Sequence, residues 1–442
     1  MNFLRAIIRL AAAASLVMVL FGMTVRAEES DPLSTLPKSG VKLGVQEQAE
    51  VWGNLSGGRR RGTTANGLAT FSIEADLGKL MGLTDWSFFA NVFQIHGRSI
   101  TLDRVGNLQT ISNIEATRGT KLYNIWLAPT FFAGRLQMRI GQEGANDEMM
   151  FSQQAQLFLN SSFGFPALLA MNLPSGGPNY PIAAPMIRGI YKINDYFSVM
   201  GAVFNGDPAG PGPGDPQLRD RYGIAFRVND PPLMFGELWF SPQGSDEKAL
   251  PGLWKLGVWR HNGRFADQRF DASGVLLALP NSGAARMYRG NQAYYAIMDQ
   301  MLWRRTGTSD QGFGVWALLM GTPRDRNVVD IFAEGGFTFK GPLESRPDDK
   351  LGMAFTMMKI SKTARAFYQD GFLAGTGLVP LKPYELVTEL TYLYTFSKNF
   401  SLQPSLQYVI HPGAGLPSPA SRDLQIPRRN AWVLGVRAIG SF

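Results

Sequence analysis

Hydrophobic and polar side chains alternate along most of this chain with a period of two residues. Val41, Leu43, Val45, Ala49 and Val51 occupy odd positions, and the polar Lys42 and Gln46 occupy even ones. The same alternation returns over 384–397 and 400–410, which are joined by a short turn. A period of two is that of a half-buried β-strand, so these last two segments predict a β-hairpin.

Seventeen segments show this pattern at strand length. They lie near residues 41–52, 67–78, 85–96, 121–131, 135–142, 184–192, 197–205, 220–229, 232–241, 252–261, 292–305, 312–321, 329–340, 350–360, 384–397, 400–410 and 431–442. Bacterial outer-membrane barrels formed by one chain have even strand numbers. We therefore expect an all-β protein, a transmembrane antiparallel β-barrel of 16 strands, with 18 as the alternative.

Two architectures use so many strands, and the connections favour one of them. A propeller or solenoid would repeat a motif every 20–50 residues or so, and no such repeat is present. A transmembrane barrel has short turns at one end and long loops at the other. Short joints at Asn194-Asp195, Asp230-Pro231 and Lys398-Asn399 contrast with long gaps at 262–291, 361–383 and 411–430.

The long stretch from Glu143 to Pro174 is the best candidate for a constriction loop that folds into the barrel, with an extracellular rim loop as the alternative.

The two ends of the chain suggest export to the outer membrane. Residues 1–27 combine Arg5 and Arg9 with an apolar segment and small residues up to Ala27, which is typical of a cleaved signal peptide. We predict a short periplasmic segment over 28–40 and a single barrel domain over 41–442. The alternating last strand ends at Phe442, which is similar to the signal that outer-membrane barrels present to the assembly machinery. A Gram-negative outer membrane is the expected location.

Composition narrows the class further. The chain of 442 residues is 45% hydrophobic and 18% charged and contains no cysteine. The low content of charged residues argues against an intrinsically disordered protein. The lack of cysteine excludes a disulfide-stabilised scaffold and a site that uses a thiol. The net charge of +8 falls to +5 without residues 1–27, which carry three Arg and no acid.

Several segments together resemble the carbohydrate-selective porins of the OprB type. They are Phe158 to Gly164, Ala202 to Pro208, Pro251-Gly252, Lys255 to His261, Gly263 to Asp267, and Asp299-Gln300. The resemblance implies a 16-stranded barrel narrowed by inward-folded loops, which passes monosaccharides such as glucose by passive diffusion. It also implies an arginine-rich constriction.

Candidate pore-lining residues follow from strand parity and from the chemistry of sugars. Hydroxyl groups need hydrogen-bonding side chains, and the apolar faces of a pyranose ring need flat aromatic surfaces, without binding so tight that the solute stays. Arginine suits the first role because its guanidinium donates five hydrogen bonds in a fixed fork. The candidates are Glu74, Arg98, Arg118, Trp126, Arg139, Arg188, Lys255, Trp259 and Glu389. For each arginine, pairing with a wall carboxylate or a lipid phosphate is the competing interpretation.

Other chemistries receive less support. His96, His261 and His411 lack metal-ligand spacing, and no G-x-S-x-G motif is present. We expect no catalytic residue, no metal and no cofactor, although an outer-membrane enzyme of lipase type stays an alternative. A porin for small anions or organic acids is the alternative within transport. Arg59-Arg60-Arg61 is expected to meet lipopolysaccharide phosphates or line the mouth and not to bind nucleic acid.

Overall fold

The protein is a closed β-barrel in which each strand pairs antiparallel with the next and the first pairs with the last. The computed structural model describes residues 39–246, 248–415 and 428–442. Its strands are β1 (Val41–Gly58), β2 (Gly62–Asp76), β3 (Trp86–Gly97), β4 (Gly119–Phe131), β5 (Leu136–Glu143), β6 (Ala184–Lys192), β7 (Phe197–Phe204), β8 (Leu233–Phe240), β9 (Gly252–Asp271), β10 (Ala285–Arg304), β11 (Gly312–Gly321), β12 (Val329–Lys340), β13 (Lys350–Ile360), β14 (Tyr384–Ser397), β15 (Phe400–Ile410) and β16 (Arg429–Ser441). The helices are short: α1 (Leu77–Met81), α2 (Ala167–Asn172), α3 (Pro216–Arg219) and α4 (Lys362–Leu373).

The expectation of sixteen strands is confirmed, and one of the seventeen predicted segments is wrong. Residues 220–229 belong to the loop between β7 and β8. Gly223 and Phe226 take positive φ values of 69° and 43°, which breaks an extended ladder. The carbonyl of Tyr222 instead accepts a hydrogen bond from the Leu122 N–H at 2.9 Å, so the loop covers an edge of β4. Asp230-Pro231 consequently lies within a long loop and is not a short joint.

Alternation places apolar side chains on the outer face of the wall. Leu43, Leu256 and Leu390 are 73%, 64% and 46% exposed on this face. At the end of the barrel where β1 begins and β16 ends, the rings of Phe240 and Trp254 lie 6.0 Å apart. Lipid-facing apolar bands flanked by aromatic rings are typical of outer-membrane barrels, whose short turns face the periplasm.

The wall is low on one side and tall on the other. Strands β5 to β8 have only eight or nine residues each, whereas β9 and β10 have 20 each. Since a spanning strand needs about 9–11 residues, the β9–β10 hairpin rises beyond the apolar band at the extracellular end.

The loop from 144 to 183, which we call the inner loop, folds into the barrel. Its buried apolar residues join the inward faces of β7 to β13 in one hydrophobic cluster. The cluster includes Met149, Met150, Phe165, Leu168, Leu169 and Leu173 of the loop with Phe204, Phe235, Trp259, Tyr295, Leu318 and Phe332 of the wall. Burying these side chains is worth on the order of 1.5–3 kcal/mol each. The inner loop is therefore part of the core.

The predicted signal peptide lies outside the described residues, as do all but the last two residues of the 28–40 segment. No helix within 39–246, 248–415 and 428–442 has the length and apolar character to cross a membrane.

Candidate functional site: a loop-narrowed channel

Wall carboxylates hold the inner loop in place. Glu389 of β14 is 1% exposed and accepts hydrogen bonds from the backbone N–H groups of Leu159 and Asn160, both at 2.9 Å. The Ser405 hydroxyl donates a third at 2.9 Å. Glu389 was predicted to line the pore, and in this structure the inner loop covers its carboxylate.

Two further carboxylates repeat this arrangement at the next stretch of loop. Asp299 of β10 accepts from the Ser152 hydroxyl at 2.6 Å and from the Gln153 N–H at 3.3 Å. Glu237 of β8 accepts from the Met150 N–H at 2.9 Å. Hydrogen bonds to a charged acceptor are about twice as strong as neutral ones. The backbone of the loop is thus fixed to the wall at separate points.

Lys255 and Trp259, both predicted pore residues, also lie beneath the inner loop. The Lys255 ammonium donates to the Phe151 carbonyl at 2.9 Å and lies 3.9 Å from the Glu237 carboxylate. Trp259 is 0% exposed within the apolar cluster. Strand parity predicted the inward face for both side chains, and in this structure the inner loop separates both from solvent.

Trp126, Arg139 and Arg188 come together at the root of the inner loop. The Arg139 guanidinium lies 4.2 Å from the Trp126 ring centroid and pairs with Glu143 at 2.5 Å and Glu148 at 3.0 Å. Arg188 pairs with Glu148 on its other side. Arg188 is 2% exposed, whereas the Arg139 side chain keeps 24% exposure.

Glu74, Arg98 and Arg118 lie at the two ends of the barrel. Glu74 faces inward two residues before the periplasmic end of β2. Arg98 follows β3 at the extracellular end, where its side chain is 69% exposed and pairs with Asp103 at 2.9 Å. Arg118 is exposed just before β4. The two arginines lie beyond the strand ends, where strand parity no longer sets the direction of a side chain, and neither belongs to the lining of the cavity described below.

A second loop, residues 98–118, packs against the inner loop inside the barrel, where the Asn113 N–H donates to the Leu159 carbonyl at 2.7 Å. The buried Glu385 of β14 accepts from the backbone N–H groups of Leu108 and Gln109 at 2.8–3.0 Å. Burial raises the pKa of Glu115 in this loop to about 7, although hydrogen bonds from Ser99 and Thr101 oppose the shift. The Arg437 guanidinium joins the loop to the wall by donating to Asn113 at 2.6 Å.

Residues of both loops and of the barrel wall line a cavity of about 1240 Å³. Its lining runs from Gln217 in an extracellular loop to Asp310 and Lys340 near the periplasmic turns. Gln153 and Gln156 of the inner loop are exposed on its surface. The cavity exceeds the roughly 300–1,000 Å³ of ordinary ligand pockets, which suits a passage in which a small solute keeps part of its water.

The charges around this cavity have both signs, and two of the three cations in its described lining form ion pairs. The lining includes Glu115, Asp147, Asp215, Asp299 and Asp310 against Lys340, Lys350 and Arg437. Arg437 pairs with Glu50, and Lys340 pairs with Asp310. The arginine-rich constriction that the resemblance implied is absent from the described lining of this cavity.

Sequence reasoning missed the amide groups of the inner loop. The run Ser152-Gln-Gln-Ala-Gln156 lies inside the stretch predicted to fold inward, and its three glutamines line the cavity. A polar run flanked by apolar residues on both sides was the available signal.

The hydrogen bonds of His261 argue against a lipase-type site at this residue. One ring nitrogen lies 3.0 Å from the Gly206 carbonyl, and the other accepts from the Gly263 N–H at 2.9 Å. Both nitrogens therefore have backbone partners. No group of three or more potential metal ligands is found among residues 39–246, 248–415 and 428–442.

Comparison with known proteins agrees with this geometry. The family profile described as carbohydrate-selective porin, OprB family, matches residues 60–442. The chain belongs to the OprB family of carbohydrate-selective porins. It is an outer-membrane channel for passive passage of carbohydrates, and both family and fold are those of a channel.

Individual OprB relatives are distant in sequence but similar over nearly their whole length. Porin B of Pseudomonas aeruginosa is 23% identical over 394 residues, which cover 86% of this chain and 84% of the relative. The putative porin QuiX of Acinetobacter baylyi is 22% identical over 91% of this chain and 89% of its own. The high-pH structure of Pseudomonas putida OprB superimposes with a TM-score of 0.81 at 21% identity, covering 92% of this chain and 95% of that one. The structural match supports the 16-stranded fold.

Proposed function

We propose that the solutes of this OprB-family channel are neutral monosaccharides such as glucose, which exchange part of their hydration for contacts with amide side chains. The observation that carries the proposal is the chemistry of the cavity lining. Its amides are Gln46, Gln48, Asn113, Asn146, Gln153, Gln154, Gln156, Asn179, Gln217, Gln243 and Gln403. An amide offers two donors and an acceptor, so it matches a sugar hydroxyl in either orientation.

Neutral amides suit transport better than a cluster of charges would. The net contribution of each hydrogen bond of this type is only about 0.5–1.5 kcal/mol. Such bonds replace the hydrogen bonds that the sugar loses to water, and they are too weak to trap it. Conduction requires binding that is weak enough for exit.

The charge distribution supports neutral sugars over small anions. Arg437 and Lys340 are ion-paired, and the lining carries more carboxyl groups than cations. An organic acid would meet few uncompensated positive charges on this path. Arg139 and Trp126 remain candidates for a sugar contact outside this cavity, because Arg139 keeps partial exposure beside the indole ring.

Export and assembly complete the proposal. Residues 1–27 act as a cleaved signal peptide, and the last strand presents Phe442 to the barrel-assembly machinery. Phe442 is 63% exposed, and its N–H donates to the Val45 carbonyl at 2.8 Å, so the terminal ring projects from a strand end that is already paired with β1.

Liposome swelling tests the substrate class. Purified protein is reconstituted and exposed to glucose, to gluconate as an anion of equal size, and to glucosamine as a cation. We expect the fastest swelling with glucose. Faster entry of gluconate would favour the organic-acid porin, and no flux of any solute would reject a channel function under these conditions.

A further inference from the structure

Two arginines face each other on the outer surface of the tall hairpin. Arg264 of β9 and Arg289 of β10 are directly opposed partners in the ladder, and both are exposed. Their neighbours Phe265 and Tyr288 occupy the opposite face, where the Tyr288 hydroxyl donates to the buried Asp267 at 2.8 Å. Like charges directly opposite destabilise an antiparallel pair, so this pairing calls for a compensating anion.

A third arginine extends the same outer face toward the membrane. Arg260 is exposed and donates to the Gln292 amide oxygen at 2.9 Å. Among the described residues, no carboxylate forms an ion pair with Arg260, Arg264 or Arg289. Arg269 of the same hairpin, by contrast, pairs with Asp370 at 2.7 Å. The outer face thus carries three positive charges that the described chain leaves uncompensated.

The height of Arg264 and its ladder partner Arg289 matches the outer boundary of the apolar band. Trp254 belongs to the periplasmic aromatic ring, and Arg264 follows ten residues later on the same strand. At about 3.3 Å per residue and a tilt of about 40°, ten residues rise roughly 25 Å, the height of the lipid-facing band. The outward side chains Leu256 and Val258 between them are apolar and exposed.

We propose that Arg260, Arg264 and Arg289 bind the phosphate groups of a phosphorylated glycolipid of the outer leaflet, of the lipopolysaccharide type. Guanidinium forks bind phosphate oxygens bidentately. The acyl chains of such a lipid would lie along Leu256 and Val258 below the site. A lipid, and not a soluble phosphate, fits a cluster that faces outward at the membrane boundary.

Binding to the detergent-solubilised full chain tests this site. The wild type and the double variant Arg264→Gln, Arg289→Gln are titrated with purified lipopolysaccharide, with the same glycolipid after enzymatic dephosphorylation, and with inorganic phosphate. We expect the double variant to bind intact lipopolysaccharide at least about tenfold more weakly, and the wild type to bind the dephosphorylated lipid with a similar loss.

Arg135→Gln is the matched control, because it removes one guanidinium from an exposed turn at the periplasmic end. Heat-modifiable electrophoretic mobility verifies folding, and the milder Arg264→Gln serves if the double variant does not fold. Sugar flux should stay at the wild-type rate. Equal lipopolysaccharide affinity in the wild type and a folded variant would overturn the proposal, as would inorganic phosphate binding as tightly as the lipid.

Discussion

Removing the Glu389 carboxylate should release the middle of the inner loop. In Glu389→Ala, the backbone N–H groups of Leu159 and Asn160 lose their acceptor. Each buried donor left without a partner costs about 1–3 kcal/mol, so docking of the loop weakens by about 2–6 kcal/mol. That range changes the ratio of docked to released loop by roughly 30-fold to more than 10⁴-fold. Gln403, which donates to the Leu157 carbonyl at 2.6 Å, still holds the segment nearby.

Single-channel recording in planar bilayers measures this release. We expect a higher mean conductance with added open-channel noise, because a loop that leaves the wall intermittently alters the passage. Liposome swelling with sugars of increasing size should show weaker discrimination against disaccharides. Glu389→Gln keeps one acceptor oxygen and should give an intermediate effect.

Two matched variants separate loop release from general damage. Glu344→Ala makes the same chemical change at a carboxylate whose side chain is 88% exposed near a periplasmic turn, and Ser405→Ala removes only the third donor to Glu389. Both should behave nearly as the wild type. Wild-type conductance and size discrimination in folded Glu389→Ala would refute the idea that Glu389 holds the inner loop against the wall.

Three further predictions address other parts of the interior. Burial raises the pKa of Asp147 to about 6, so this cavity-lining carboxyl is charged at pH 7 and neutral at pH 5. As the pH falls, reversal potentials should show cation preference decreasing in two overlapping steps, one near pH 7 from Glu115 and one near pH 6 from Asp147. Asp147→Asn should remove only the step near pH 6. Replacing Gln153 and Gln156 by Leu should slow glucose swelling about three- to tenfold with little change in ion conductance; an unchanged rate would exclude these amides from the sugar path. Arg437→Met leaves the Glu50 carboxylate buried without its cation, and should cost about 3–5 kcal/mol, seen as a lower temperature for the heat-induced mobility shift; an unchanged transition would contradict this.

Alternation along the strands was sufficient to predict most of the wall. The hairpin over 384–397 and 400–410 and its inward residues follow from backbone geometry, since successive side chains of a strand point to opposite faces. The false segment at 220–229 has the same alternation. Its positive φ angles at Gly223 and Phe226 are decided by its position over the edge of β4, which composition does not reveal.

The sequence by itself determined the class of this protein: an even-stranded outer-membrane barrel whose inward side chains are known from parity. Only the tertiary structure decided which inward side chains meet the solute. Glu389, Lys255 and Trp259 all face inward, yet the inner loop covers each of them. That cover depends on contacts such as Leu159 with Glu389, which are 230 positions apart in the chain. Strand periodicity is a local property of the backbone, whereas the path of an irregular loop is set by the distant donors, acceptors and apolar surfaces that it satisfies.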